Sequence, residues 1–180
     1  NTSWKKIFGD FKGFDTSHVR AVLHELGVHI IAKYPKDTQP VCYLLWFALE
    51  NAFVFYLGNL YEFLTSLPSG HPFTTLINTL CVIVYFRLSW TIAHDYDFQS
   101  IRTFDDNVVL SVYGDDHMAS INPKAEHLIN NHTLPGLMAE IGLTWTTFEK
   151  KVGADGPKFH ELEDGEILSR SFKYEEGVWV

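Results

Sequence analysis

The chain has 180 residues, 46% hydrophobic, 15% aromatic and 20% charged, with a net charge of −8. That is a globular composition with enough length for one aromatic-rich core, and it excludes a disordered chain. The negative balance excludes nucleic-acid binding through bulk charge, since phosphate affinity comes from Lys and Arg, but it leaves open a domain that holds cations.

In chain order, residues 4–11 are short and β-prone and predict a strand with Asp10 at its end. Residues 17–32 carry Val19, Val22, Leu23, Leu26, Ile30 and Ile31 near helical spacing, with Thr16 or Ser17 as N-cap and Pro35 as the stop. A second helix is predicted over 40–51. Residues 53–57 and 60–64 read as a hairpin around a Gly58-Asn59 turn. Residues 66–72 read as a loop. Residues 73–93 predict a long apolar helix. Thr74, Thr75, Asn78, Arg87 and Ser89 interrupt it, which favours a buried core helix over a membrane span. Residues 95–107 are polar and irregular. Two apolar runs, 108–112 and 117–121, then flank Tyr113-Gly114-Asp115-Asp116 and predict a second hairpin. Asn122-Pro123 breaks it. A helix over 134–141 stops at Gly142. Residues 150–165 read as a loop, and 167–172 and 177–180 as short strands. The order is an α+β mixture without regular βαβ alternation.

Cys42 and Cys81 lie in apolar segments and read as buried free thiols of a reducing compartment. The nine histidines form no zinc spacing or other ligand pattern. Asn131-His132-Thr133 fits a glycosylation sequon, a triplet common by chance. Asn1 opens no leader pattern, and the chain reads as a piece of something longer.

The acidic hairpin carries the strongest chemical signal. Two carboxylates at a stiff turn repel each other unless a cation sits between them, so the turn predicts a divalent metal. Asp10 at a strand end can face that turn if the two strands are neighbours, and Asp10 with Asp115 would then hold two ions. Such a pair of metals stabilises the attacking and leaving oxygens of an in-line phosphoryl displacement. Taken alone, a strand-end Asp is commonly a turn residue. A second constellation is Ser69-Gly70 followed by Thr74 and Asn78, the last two on one face of the long helix. The bland reading is a satisfied helix–strand contact. The sharper one is a ribose reader in which Asn78 and Asp15 engage sugar hydroxyls.

Together these pieces resemble the palm domain of picornavirus-like viral RNA-dependent RNA polymerases. Asp10-x4-Asp15 is similar to the family's motif A, Ser69-Gly70-x3-Thr74-x3-Asn78 to motif B and Tyr113-Gly114-Asp115-Asp116 to motif C. Gly142-Leu143-Thr144-Trp145-Thr146 with Lys150 is similar to motif D, and Ile167-Leu168-Ser169-Arg170-Ser171-Phe172 to motif E. One departure is Ser169, where the family usually carries a Lys before the Arg.

The resemblance implies an α+β palm, a small antiparallel sheet packed on helices, occupying residues 1–180 with fingers and thumb largely absent. It implies RNA-directed RNA polymerisation with Mg²⁺ or Mn²⁺, two ions, held by Asp10, Asp115, Asp116 and the Phe11 carbonyl. Asp15, Ser69, Gly70, Thr74 and Asn78 would contact the ribose of the incoming NTP, Lys150 would protonate the pyrophosphate, and Arg170 would lie near the primer. Implied partners are RNA template and primer, NTPs, the missing fingers and thumb, and other viral replication proteins. The implied location is the host cytoplasm at membrane-associated replication complexes, and the segment alone is not expected to polymerise RNA. The alternatives are a reverse transcriptase, a metal-dependent nuclease using the same acids, or a non-catalytic module with Asp10 and Asp115 far apart.

Overall fold

The computed structural model describes residues 4–63, 66–67, 71–150, 156–176 and 178–179. The chain runs through β1 (Lys5–Phe11), a 3-10 turn at Phe14–Thr16, α1 (Arg20–Ile31) and α2 (Gln39–Glu50). A hairpin follows, β2 (Ala52–Tyr56) and β3 (Asn59–Phe63), and then the long α3 (Thr74–Ile92). A 3-10 helix at Phe98–Thr103 and α4 (Phe104–Asn107) lead into β4 (Val108–Tyr113) and β5 (Asp116–Ile121). The rest is α5 (Leu134–Glu140), β6 (Trp145–Thr147), β7 (Glu166–Ile167), β8 (Arg170–Ser171), β9 (Tyr174–Glu175) and β10 (Val178–Trp179).

Four strands form the sheet that positions the site, in the order β4-β5-β1-β6, and every neighbouring pair is antiparallel. β1 lies inside it because its side chains are apolar on both faces. Ile7 and Phe11 join the main core, with α3 residues such as Ile77, Val82 and Phe86. Phe8 points to the opposite face, where its ring meets those of Phe148, His160 and Phe172. That second face is closed by the 156–172 region, anchored by a bridge between Lys6 and His160. The α+β palm architecture predicted from the sequence is therefore the one observed.

The core helix also matches expectation. α3 has the length and apolarity of a membrane-crossing helix, but half of it is buried inside the fold, against α1, β4 and α5. Trp90 donates its indole N–H to the Ser100 carbonyl at 2.9 Å, which pins α3 to the 3-10 helix after it.

Several elements differ from the sequence reading, each for a local reason. α1 starts at Arg20, not residue 17, and Val19 precedes it without a side-chain cap. The Thr16 and Ser17 hydroxyls are used on the carbonyls of Gly13 and Phe14, closing the 3-10 turn instead. The β2–β3 turn is Leu57-Gly58, one residue earlier than Gly58-Asn59, because Tyr56 pairs with Asn59. Both turn residues have positive φ, and a two-residue turn of that type favours Gly at its second position. Residues 95–107 are mostly helical, started by Asp97, whose side chain accepts the Gln99 amide at 2.9 Å. Residues 167–172 are a tight hairpin, not one strand, with Leu168 and Ser169 at φ 53° and 56°. β9 and β6 were not expected, and each is only two or three residues long. Within 150–165, Leu162–Asp164 forms a 3-10 turn.

Cys81 is buried as expected, but Cys42 is only half-buried. The sequon Asn131 is buried, with its amide donating to the Pro157 carbonyl at 2.9 Å.

Gly9 sits under the Trp145 ring, and a Cβ there would run into the indole. Gly9→Ala is expected to cost about 1–3 kcal/mol by overpacking, read as a lower urea midpoint with unchanged slope; an unchanged midpoint would show that the indole moves aside freely.

Candidate active site

The acidic turn is built by the register of its hairpin. Tyr113 pairs with Asp116, leaving Gly114-Asp115 as the two turn residues. Gly114 has φ +64°, a conformation that costs a side chain energy, while the space around it is open enough for one. Its N–H donates to Thr79 Oγ1 on α3 at 2.9 Å, so the helix holds the turn. Burial pushes the Asp115 carboxyl above its ordinary range; the charges of Asp116 and Asp15 add to this, and the amides of Asp115 and Asp116 oppose it. Three carboxylates therefore share one electrostatic neighbourhood.

Beneath the turn lies His117, 1% exposed. The Trp145 indole N–H can only donate, and it does so to His117 Nε2 at 2.8 Å. The proton of the neutral ring is then on Nδ1, which donates to the Asp115 carbonyl at 2.7 Å. Burial lowers the His117 pKa to about 4, so the ring stays neutral near pH 7. A single imidazole thus ties β6 to the acidic turn. The sequence reading gave His117 no role. The only signal for it was the inward-facing alternation His117, Ala119, Ile121 along β5.

Asp10 stands one residue past the Gly9–His117 pair of the β1–β5 ladder. This adjacency excludes the module in which the Asp10 strand and the hairpin are far apart. Asp10 Oδ1 accepts the Phe11 N–H at 2.8 Å, and Oδ2 pairs with the Lys150 ammonium. Lys150, exposed and with φ +61°, is delivered by the turn after β6, where its N–H bonds the Thr147 carbonyl at 2.8 Å. The Lys150–Asp10 pair was not expected from the sequence. Phe11 itself packs into the core beside Phe14.

Asp15 lies in the 3-10 turn after β1, and its Oδ1 accepts from Asn78 Nδ2 at 2.7 Å. This contact joins the two segments that were expected to read ribose. Thr74 opens α3 one turn before Asn78 and is half-buried. Ser69 and Gly70 lie outside the described residues. Arg170 is exposed at the start of β8 and makes no ion pair among the described residues. Buried His18, also without a role in the sequence reading, contacts Asn78 Oδ1 through Nε2 at 3.0 Å.

The donor chemistry suits a hard divalent cation. Asp10, Asp115 and Asp116 offer carboxylate oxygens, and the like-charge crowding at Asp115 is what a cation relieves. Among the described residues no three acidic, His or Cys side chains are grouped closely enough to hold a metal ion by themselves. Mg²⁺ commonly takes one or two carboxylates and fills its shell with water and substrate phosphates.

Trp145→Phe leaves His117 Nε2 and its bond to the turn without the indole donor. The expected cost is about 1–3 kcal/mol of unfolding free energy, checked by chemical denaturation; no loss would mean that the clamp carries no stability.

Comparison with known proteins gives the family. The model of the viral RNA-dependent RNA polymerase family matches residues 1–180. The chain is 32% identical over 183 residues to the replicase polyprotein of Drosophila C virus (strain EB), covering 93% of this chain and 10% of that protein. It is 31% identical over 137 residues to the replicase polyprotein of Cricket paralysis virus, covering 74% of this chain and 8% of that protein. The chain thus spans about a tenth of the length of these curated relatives. Among solved structures, the Sicinivirus 3Dpol RNA dependent RNA polymerase shares the fold, with a TM-score of 0.73 at 17% identity, covering 96% of this chain and 35% of that one. With every residue inside the family match, the chain belongs to the viral RNA-dependent RNA polymerases.

Proposed function

We propose that this segment is the palm of an RNA-directed RNA polymerase and joins an NTP to the 3′-hydroxyl of an RNA primer on an RNA template. The observation that carries this reading is the Asn78–Asp15 hydrogen bond beside the Asp115 turn, which sets a polar sugar-sized reader against a cluster of acids. A nuclease using the same acids has no need of that reader. A reverse transcriptase has no need of a hydrogen-bonding carboxylate at Asp15.

Asp10, Asp115 and Asp116, with the Phe11 carbonyl, would hold two Mg²⁺ or Mn²⁺ ions, which supply Lewis-acid stabilisation of the attacking and leaving oxygens. The protein's own part is positioning. The Phe11 N–H orients the Asp10 carboxylate, and the His117 and Thr79 bonds fix the Asp115 turn. Lys150, paired with Asp10, would be the group that gives a proton to departing pyrophosphate. Asp15 and Asn78, with Thr74, Ser69 and Gly70, would meet the ribose hydroxyls, and Arg170 would lie near the primer.

The reading includes a larger enzyme. Leu44, Leu45, Phe47, Phe55, Leu57 and Leu60 on α2 and the β2–β3 hairpin are each at least 60% exposed, an apolar surface of the kind that other parts of a protein cover. Fingers and thumb would cover it and supply the positive charge that a segment at −8 lacks. The host cytoplasm, membrane-associated replication complexes and other viral replication proteins enter this reading through the family alone.

Asp115→Asn in the complete polymerase is expected to cut primer extension on the order of 10³-fold, the scale of losing one electrostatic stabiliser, with an unchanged circular dichroism spectrum. Near-normal extension would overturn the assignment. Asn78→Ala is expected to erode NTP over dNTP preference about tenfold while leaving Mn²⁺ affinity unchanged; an unaltered preference would remove Asn78 from ribose recognition.

A further inference from the structure

We propose that His18 is the positioning residue of the ribose reader, a tautomer-locked relay that holds the Asn78 amide toward Asp15. The inference rests on the ribose reading above and extends it to two residues that touch no substrate.

Four hydrogen bonds form a circuit whose direction is set from the Asp15 end. The Val19 N–H can only donate, and it donates to the Tyr85 oxygen at 3.0 Å. The Asp15 carboxylate can only accept, and it accepts from Asn78 Nδ2 at 2.7 Å. Asn78 then presents Oδ1 to His18 Nε2 at 3.0 Å, so Nε2 carries the proton. That leaves Nδ1 as an acceptor, and the Tyr85 hydroxyl stands 3.4 Å from it as the donor. The path leaves the segment after β1 at Val19, crosses α3 at Tyr85 and Asn78, two turns apart, and returns at Asp15.

Reversing the Asn78 amide breaks two contacts. With the Asn78 amide turned over, its oxygen would face the Asp15 carboxylate and its N–H₂ would face the Nε2–H of His18. One orientation is therefore selected, and among the described residues it leaves the second Asn78 N–H and Asp15 Oδ2 for a ligand. Burial makes this selection strong, since His18 is 2% and Asn78 4% exposed and neither can turn to water. Phe14 closes over the imidazole edge-on at 4.5 Å. Burial also lowers the His18 pKa, against the smaller opposing effects of Asn78 and Asp15, in keeping with a neutral ring. Cys81, one turn before Tyr85, shares a hydrogen bond with the phenol, and burial pushes its thiol up to about 12, so it stays protonated.

The test is steady-state kcat and KM for a templated NTP and its 2′-deoxy analogue, in the complete polymerase carrying His18→Leu, His18→Gln, Tyr85→Phe or Asn78→Ala. His18→Leu is expected to lower the NTP/dNTP ratio of kcat/KM about five- to tenfold, the worth of one lost hydrogen bond. His18→Gln places an amide N–H where Nε2–H stood and is expected to keep the ratio within about twofold. Tyr85→Phe removes the hydroxyl that meets Nδ1 and is expected to lower the ratio in the same direction.

An unchanged ratio in folded His18→Leu, with Asn78→Ala still shifting it, overturns the relay and leaves the ribose reading intact. Equal losses in His18→Leu and His18→Gln overturn it as well, since packing alone would explain them. If His18→Leu does not fold, an unchanged ratio in Tyr85→Phe overturns the relay. An unchanged ratio in Asn78→Ala brings down the ribose reading and the relay with it.

Discussion

Gly9 pairs with His117 across the ladder between β1 and β5, and that pairing sets Asp10 beside the Gly114-Asp115 turn. It depends on three residues that fit only together. Gly9 leaves room for the Trp145 indole, the indole holds His117, and His117 holds the Asp115 carbonyl. Strand β6, which brings Trp145, also leads to Lys150 at Asp10. The Asp115 turn is thus placed by packing and directional hydrogen bonds from neutral groups, so the repulsion of neighbouring acids does not push it apart.

Helix α3 is the second frame. Its apolar positions fill the core and would be satisfied by many sequences. Its polar positions are specific: Thr79 holds Gly114, Asn78 holds Asp15 and Tyr85 holds Val19. Polar groups inside a helix this buried cost free energy unless bonded. Each is bonded to a segment that carries an acid of the site. The geometry of the Asn78–Asp15 contact therefore follows from the core.

Much of this was legible in the sequence. Asp10, Asp15, Asp115 and Asp116 were visible because turn chemistry and apolar flanks mark strand ends locally, and α3 because nineteen helical residues leave a strong pattern. His18 and His117 were not, because their roles depend on partners distant in sequence, Asn78 and Tyr85 for one and Trp145 for the other. An imidazole's tautomer is decided by those partners, not by its neighbours in the chain. The β7–β8 turn was missed because Leu168 and Ser169 adopt positive φ without a Gly or Asn to announce it. Thr16 and Ser17 misled because a hydroxyl that can cap a helix can also close the turn before it.

The charge distribution leads to one question about the acids themselves. Asp10 is bonded to Lys150, while Asp115 bears the repulsion of Asp116 and Asp15. The account holds that these carboxylates form one cation site. The direct measurement is anomalous diffraction from Mn²⁺-soaked crystals of the complete polymerase. The account predicts a Mn²⁺ peak within about 2–2.4 Å of oxygens from both Asp10 and Asp115, with Lys150 released from Asp10. A peak away from both acids, with Asp10 still paired to Lys150, would contradict it.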